Sequence, residues 1–237
     1  MQYVGSKNRL SKELIPIIQS YINENTKGYL EPFVGGANII DKIKCNNKIG
    51  FDIHKELIAL LKYVSEGKDL PNTITKEEYD YVKNNRDKFE DWYIGLVGFC
   101  GSYGAKYFGG YAKGNDKRDR QNEAIRNLAN QSYNLRNISF IHRDFSDIDK
   151  DEFKNYVIYC DIPYKDTTKY STKEFPYEEF YEWVKEMSIH NTVLISEYDM
   201  PDEFECIWSK EHKVNFDSNR NNAEKRVEKL FTYNKQI

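Results

Sequence analysis

Three short segments of this 237-residue chain bring together groups that could hold a polar, planar ligand. The first, Asp161-Ile162-Pro163-Tyr164, follows the apolar run Tyr156–Cys160. Ile162 precedes a proline and is therefore held extended, so its carbonyl can point forward beside the Asp161 carboxylate. Two acceptors converging on one point, with an aromatic face alongside, suit a planar ring that bears an exocyclic amine. The second segment, Glu31-Pro32-Phe33-Val34-Gly35-Gly36-Ala37, runs into glycines, which let a backbone approach a ligand closely and accept positive φ. The third is Asp52, 16 residues after Gly36. An acid at a strand end in that place hydrogen-bonds the ribose hydroxyls of nucleoside cofactors. Each segment also has a plainer reading: a strand-ending turn, a tight glycine turn and a helix N-cap, respectively.

The elements that must carry these groups follow from periodicity. Leu10, Leu14, Ile17, Ile18 and Tyr21 recur at helical spacing between Leu10 and Ile22. Tyr29–Phe33 reads as a strand leading into Gly35-Gly36, and Ala37-Asn38-Ile39-Ile40 as the opening of a helix. Lys48–Asp52 reads as a second strand, followed by a helix over Leu57–Val64. Strand, glycine turn, helix, strand, helix is the first half of a Rossmann-like parallel sheet. The alternation stops between Pro71 and about Asn137, a charged, aromatic and glycine-rich stretch with helical segments around Glu77–Phe89 and Gln121–Leu135. Strands resume at Ile138–His142, Tyr156–Cys160 and, after a helix at Tyr177–Met187, Thr192–Ser196. Short strands around Cys206–Trp208 and Lys229–Tyr233 close the chain. An insertion of this length in a sheet is too long for a passive loop. The expected division is a sheet domain, residues 1–68 and 138–237, with an inserted recognition subdomain at 69–137.

Composition narrows the class. There are 35 Lys and Arg against 38 Asp and Glu, a formal charge of −3, and 39% of residues are apolar, which suits a folded globular chain and excludes a polybasic coat. Apolar runs are too short to span a bilayer and no secretory h-region opens the sequence, so a cytoplasmic protein with no membrane partner is expected. Cys45, Cys100, Cys160 and Cys206 lie far apart without a CxxC, which argues against a zinc site and leaves metal binding unexpected. From Lys106 to Arg126 six basic residues face three acidic ones, a local excess that reads either as a solvated face or as a nucleic-acid patch.

Tyr3-Val4-Gly5-Ser6-Lys7, Glu31–Ala37, Phe51-Asp52-Ile53, Asp144-Phe145 and Asp161–Tyr164, in that order, resemble the Dam-like (D12 class, alpha group) DNA adenine-N6 methyltransferases over most of the chain. The resemblance implies an α/β fold, a Rossmann-like sheet that binds S-adenosyl-L-methionine (AdoMet), with an inserted, mainly helical target-recognition subdomain. It implies that Tyr3 and Lys7 pack on and hold AdoMet, and that Glu31, Phe33 and Gly35 cradle its methionine part. Asp52 then binds the ribose, Asp144 and Phe145 border the adenine, and Asp161 lies against the cofactor. Asp161, Ile162, Pro163 and Tyr164 correspond to the catalytic motif. The family usually has Asp-Pro-Pro-Tyr, and Ile162 in place of the first proline frees φ there. The implied partner is double-stranded DNA in a bacterial or phage-infected cell, alongside a cognate restriction nuclease where such a system exists, with a monomer as the default state.

The chemistry implied is methyl transfer to the N6 amine of an adenine flipped out of the duplex. Asp161 and the Ile162 carbonyl accept the amine hydrogens while Tyr164 stacks on the ring. For DNA contact the candidates are Tyr103, Lys106, Tyr107, Phe108, Tyr111, Lys113, Arg118 and Arg120, with Arg220 in a polar loop near the end. Glycines let that segment follow a groove, aromatics can wedge or stack, and cations reach phosphates. The aromatics also suit a small core of the insertion. The competing functions are methylation of another amine (cytosine N4, RNA adenine or a protein glutamine) and a catalytically weak DNA-binding member of the fold.

Overall fold

The computed structural model describes residues 1–114, 119–164, 175–215 and 223–234, and the side chains of 212–225 are not described. Arg118 and Arg220 lie outside these limits. The elements are α1 (Ser11–Ser20), β1 (Gly28–Glu31), β2 (Lys48–Asp52), α2 (Lys55–Ser65), α3 (Lys76–Asn84), α4 (Asp91–Cys100) and α5 (Arg120–Leu135). They continue as β3 (Ile138–His142), β4 (Tyr156–Asp161), α6 (Tyr177–Met187), β5 (Thr192–Glu197), β6 (Glu205–Asn215) and β7 (Ala223–Thr232).

The strands form one seven-stranded sheet in the order β3-β2-β1-β4-β5-β7-β6. The pairs from β3 through β5 are parallel, whereas β7 is antiparallel to both β5 and β6. The central strand β1 pairs Leu30 with Ile49 on one side and Ile158 on the other. From β1 the chain progresses outward to β2 and β3, then returns to place β4 on the opposite side of β1. The order therefore reverses between β1 and β4, and ligands of open α/β sheets bind in the crevice at the carboxyl ends on either side of such a reversal. Glu31 and Asp161 end those two strands.

Alternate side chains supply two cores, because successive strand residues point to opposite faces. Tyr29, Tyr159, Leu194 and Leu230 join the core formed with α1, α2, α4 and α5. Leu30, Ile158, Cys160, Ile195 and Phe231 join Phe180, Trp183 and Met187 of α6 on the other face. A sheet covered on both sides explains why its central strands read as nearly continuous apolar runs.

Two expectations fail, each for a physical reason. No helix opens at Ala37: residues 38–42 form successive turns. Ala37 has φ +55, outside the right-handed region, and the Asn38 amide donates to the Met1 carbonyl (2.9 Å) and Ser6 Oγ (2.8 Å), binding this segment to the N-terminal turn. Conversely, the helix α4 has no counterpart in the sequence reading. Its residues Ile94–Cys100 are all buried, and a helix that is apolar all round shows no amphipathic period. The terminal strands are also longer than the apolar pattern suggested, since β6 and β7 extend through charged residues.

The α2–α4 contact is close enough to require glycine. A Cβ on Gly95 would lie 2.2 Å from the Glu56 carbonyl oxygen. Gly95→Ala is therefore expected to destabilise the fold by about 1–3 kcal/mol despite alanine's better helix propensity, read as a lower urea midpoint.

Candidate active site

Lys7 begins a short 3-10 turn, Lys7–Arg9, that Ser6 opens by accepting the Asn8 N–H at 3.2 Å. Its side chain is buried, and Nζ lies 2.8 Å from Asp161 Oδ1 and 3.7 Å from Glu228. Burial acts against the ammonium, but Asp161 and then Glu228 outweigh it, so the Lys7 pKa is raised. Burial likewise raises the Asp161 pKa, with Lys7 opposing. The Asp161 carboxylate nevertheless retains 23% exposure, which leaves it open toward the crevice. Glu228, only 2% exposed, is pushed up to about 7 by burial, against the pull of Lys7 and Tyr164.

Tyr164 shares this cluster. Its hydroxyl donates to Glu228, its ring centroid lies 4.2 Å from the Lys7 ammonium, and Tyr198 meets it edge-on at 4.4 Å. The ring is half-buried because these three partners draw it inward. Ile162 has only 3% of its surface exposed and packs in the α6-side core. Pro163 is exposed, and its carbonyl accepts the Tyr177 hydroxyl at 2.8 Å.

The glycine turn is tied to the second strand end. The Gly35 N–H donates to Asp52 Oδ2 at 3.0 Å, and the His54 N–H donates to Oδ1 at 2.9 Å. Burial pushes the Asp52 pKa up to about 6 against these two bonds. The N-cap of α2 is His54, so Asp52 secures the turn before the helix and does not occupy the cap position. Gly35 has φ +47, and a Cβ there would meet the Tyr3 ring at 3.0 Å. Tyr3 in turn packs on Phe99 of α4. Glu31 is buried, accepts the Tyr29 hydroxyl at 2.7 Å, and has its pKa raised well above the usual range by burial.

Beyond Asp52 the wall is apolar. Ile53 is 67% exposed, and its carbonyl contacts His142 Nε2 at 3.0 Å. Phe33 and Phe145 lie 5.5 Å apart at the edge of the α6-side core. Asp144 Oδ1 accepts the Ser146 N–H at 2.9 Å and so opens the Phe145–Asp147 turn. Strand ends thus place Glu31, Asp52 and Asp161 at one edge of the parallel sheet, where Lys7 and Tyr164 join Asp161; Ile53 is exposed, Phe33 half-buried and Phe145 buried. Among the described residues no cluster of three or more His, Cys, Asp or Glu side chains able to hold a metal ion is found, and no helix is long and apolar enough to cross a membrane.

The family model of D12 class N6 adenine-specific DNA methyltransferases matches residues 3–222, nearly the whole chain. The chain belongs to that family. No curated protein matches the sequence significantly. As a D12 class enzyme it methylates the N6 amine of adenine in DNA.

In this D12 methyltransferase the segment expected to touch DNA divides in two. Phe108 is buried, with the Arg86 guanidinium 4.6 Å from its ring centroid. Tyr107 packs on His54 at 4.4 Å and Phe99 at 5.0 Å. Tyr111 donates its hydroxyl to the Ile74 carbonyl at 2.9 Å. These three pack inward, against Phe99 of α4, Tyr79 of α3 and His54. Tyr103 is 63% exposed, with the Arg120 guanidinium 5.2 Å from its ring, and Lys106 and Lys113 are exposed.

Glu228, Tyr198 and Ile53 were not singled out as site residues from the sequence. Glu228 sits among alternating charges in β7, a pattern that looks like an exposed edge until the strand's place beside β5 is known.

Two variants follow from this geometry. Lys7→Met leaves Asp161 and Glu228 without their cation, so both carboxyls titrate higher. The acid limb of the pH–rate profile of methyl transfer should then move up by about one to two units, with reduced transfer at neutral pH. Ile162→Pro should retain methyl transfer while lowering urea stability by about 1–2 kcal/mol through lost packing; collapse of transfer would mean that the pocket needs the isoleucine itself.

Proposed function

We propose that this DNA adenine methyltransferase binds AdoMet across the carboxyl ends of β1, β2 and β4 and presents a flipped adenine to it at Asp161–Tyr164. The observation that carries this reading is the Lys7–Asp161 pair at the strand-order reversal. Lys7 holds one oxygen of a carboxylate that is still partly open to the crevice. The surrounding groups fit the cofactor chemically. Asp52 has lone pairs beyond its two backbone bonds for ribose hydroxyls, and exposed Ile53 with half-buried Phe33, backed by buried Phe145, offers apolar surface to an adenine. Glu31, Gly35, Tyr3 and Lys7 border the methionine end, and Asp144 holds the turn that carries Phe145.

When bound, AdoMet supplies an electrophilic methyl group. The protein's task is to make a poor nucleophile competent, because the lone pair of an adenine amine is delocalised into its ring. Asp161 and the Ile162 carbonyl accept the two N–H bonds, which favours pyramidal nitrogen and aims the lone pair out of the ring plane. Acceptors fixed beforehand stabilise the positive charge that develops on nitrogen, and alignment of the reactants lowers the barrier further. Pro163 keeps Ile162 extended, while the buried Ile162 side chain anchors the same residue by packing. Tyr164 supplies the aromatic face for the extruded base.

Residues 69–137 serve as the target-recognition part. Tyr103 is its exposed aromatic contact, while Lys106, Lys113 and Arg120 meet phosphates. Tyr107, Phe108 and Tyr111 support that surface from within.

Purified protein, labelled AdoMet and unmethylated DNA test the reading directly. N6-methyladenine should form, and Asp161→Ala should reduce its formation by about a hundredfold or more. Tyr103→Ala should weaken DNA binding by about 1–3 kcal/mol while leaving AdoMet binding unchanged by calorimetry. Methylation undiminished in Asp161→Ala would place the chemistry elsewhere.

A further inference from the structure

Glu228 has no part in the scheme above, yet it is almost fully enclosed beside the crevice. It reaches this place because β7 runs antiparallel to β5, with Leu230 opposite Ser196 and Lys229 opposite Glu197. That register brings the next residue, Glu228, to the carboxyl end of the parallel strands. It is 2% exposed, lies 3.7 Å from Lys7 Nζ and accepts the Tyr164 hydroxyl. One ammonium therefore serves two carboxylates from strands far apart in sequence.

We propose that Glu228 is the second negative charge by which this site distinguishes the cationic AdoMet from its uncharged-sulfur product, S-adenosylhomocysteine. The inference rests on the cofactor reading given above. With all three groups ionised, Lys7, Asp161 and Glu228 carry one excess negative charge in a largely dehydrated cluster. Buried charge of this kind is unfavourable unless a counter-ion completes it. A sulfonium arriving beside Asp161 completes it, and the thioether left after methyl transfer does not. If Glu228 were neutral, Lys7 and the sulfonium would instead compete for Asp161 alone.

The other groups that face Glu228 do not alter this logic. Lys7 comes from the N-terminal turn, Asp161 and Tyr164 from the end of β4, Tyr159 from β4 itself and Tyr198 from the segment after β5. Arg226, the nearby cation on β7, lies 5.0 Å from the Tyr198 ring centroid, and Lys210, opposite Glu228 on β6, is paired with Glu13 of α1 at 2.5 Å. Lys7 and Tyr164 favour the ionised carboxylate, while burial and Asp161 oppose it, which brings its titration to about 7. Linkage is reciprocal: if AdoMet favours ionised Glu228, protonating Glu228 must weaken AdoMet by the same factor. The sign is fixed, with AdoMet affinity lost as pH falls through this range. The α-amino and carboxylate groups are common to both ligands, so their affinity ratio isolates the charge on sulfur.

The test is calorimetric binding of AdoMet and of S-adenosylhomocysteine, without DNA, to wild type and Glu228→Gln between about pH 6 and about pH 8.5. In wild type the ratio favouring AdoMet should rise about tenfold across this range. In Glu228→Gln the product should bind within about twofold of wild type, with the ratio low and independent of pH. A flat ratio in wild type overturns the proposal whether or not the variant folds. An unchanged pH dependence in Glu228→Gln also overturns it, by assigning the titration to another group such as Asp161. Failure of both ligands to bind wild type would instead remove the cofactor reading, and this inference with it.

Discussion

One buried ammonium holds this site together. Lys7 joins the N-terminal turn to Asp161 at the end of β4 and to Glu228 on β7, with the Tyr164 ring against it. Removing three charged groups from water is costly, and the mutual attraction offsets that cost only when geometry is well fixed. The fold fixes it from several directions. The sheet's parallel register sets Asp161 opposite Ser196, the antiparallel β7 sets Glu228, and Ser6 and Asn38 hold the turn that carries Lys7. A cluster so arranged favours one placement of the N-terminal segment over the crevice and disfavours others, which would strand a charge.

The second corner of the crevice obeys the same logic with backbone N–H donors in place of an ammonium. Asp52 bridges the glycine turn after β1 and the residue that starts α2. Tyr3 covers Gly35, Phe99 of α4 supports Tyr3, and Phe99 also touches His54 and Tyr107. The inserted helices therefore meet the proposed cofactor corner through continuous packing. Their apolar residues join the same core as α1 and α2, so the proposed recognition part grows out of the sheet domain's own core. This accounts for the absence of a glycine- or proline-rich linker at either end of the insertion.

Legibility from sequence followed the physics of each element. Strands β2 and β3 and helix α6 were read with their observed limits because their patterns were local: an apolar run or a clear amphipathic period between polar breaks. The strand-end acids and the Asp161–Tyr164 segment stood out because such residue types are rare at the ends of apolar runs. Helix α4 was not, since burial on all sides erases its period. The false helix at Ala37 arose from favourable composition, overridden by a positive φ and by the long-range bonds of Asn38. Glu228 was invisible for a topological reason: only the pairing of β7 with β5 turns an ordinary strand glutamate into a member of the site. Tyr107, Phe108 and Tyr111 were seen as aromatic, but sequence could not separate an aromatic core from an aromatic contact surface.

The chain's net charge of −3 is compatible with a DNA substrate once the location of its acids is considered. Glu31 and Glu228 lie inside, and Asp161 is paired with Lys7. Exposed Lys106 and Lys113 and half-buried Arg120 lie instead in the stretch that carries exposed Tyr103, with Arg120 against its ring. Potential at a DNA surface is set by charges within about a Debye length, roughly 8–10 Å at moderate salt, so a whole-chain sum is a poor guide to it. The acids gathered in the crevice serve a different end. In the proposed reading they create a negative pocket suited to a cationic methyl donor, while the polyanionic duplex meets the basic rim. Segregating the two signs lets one small enzyme attract ligands of opposite charge to adjoining sites.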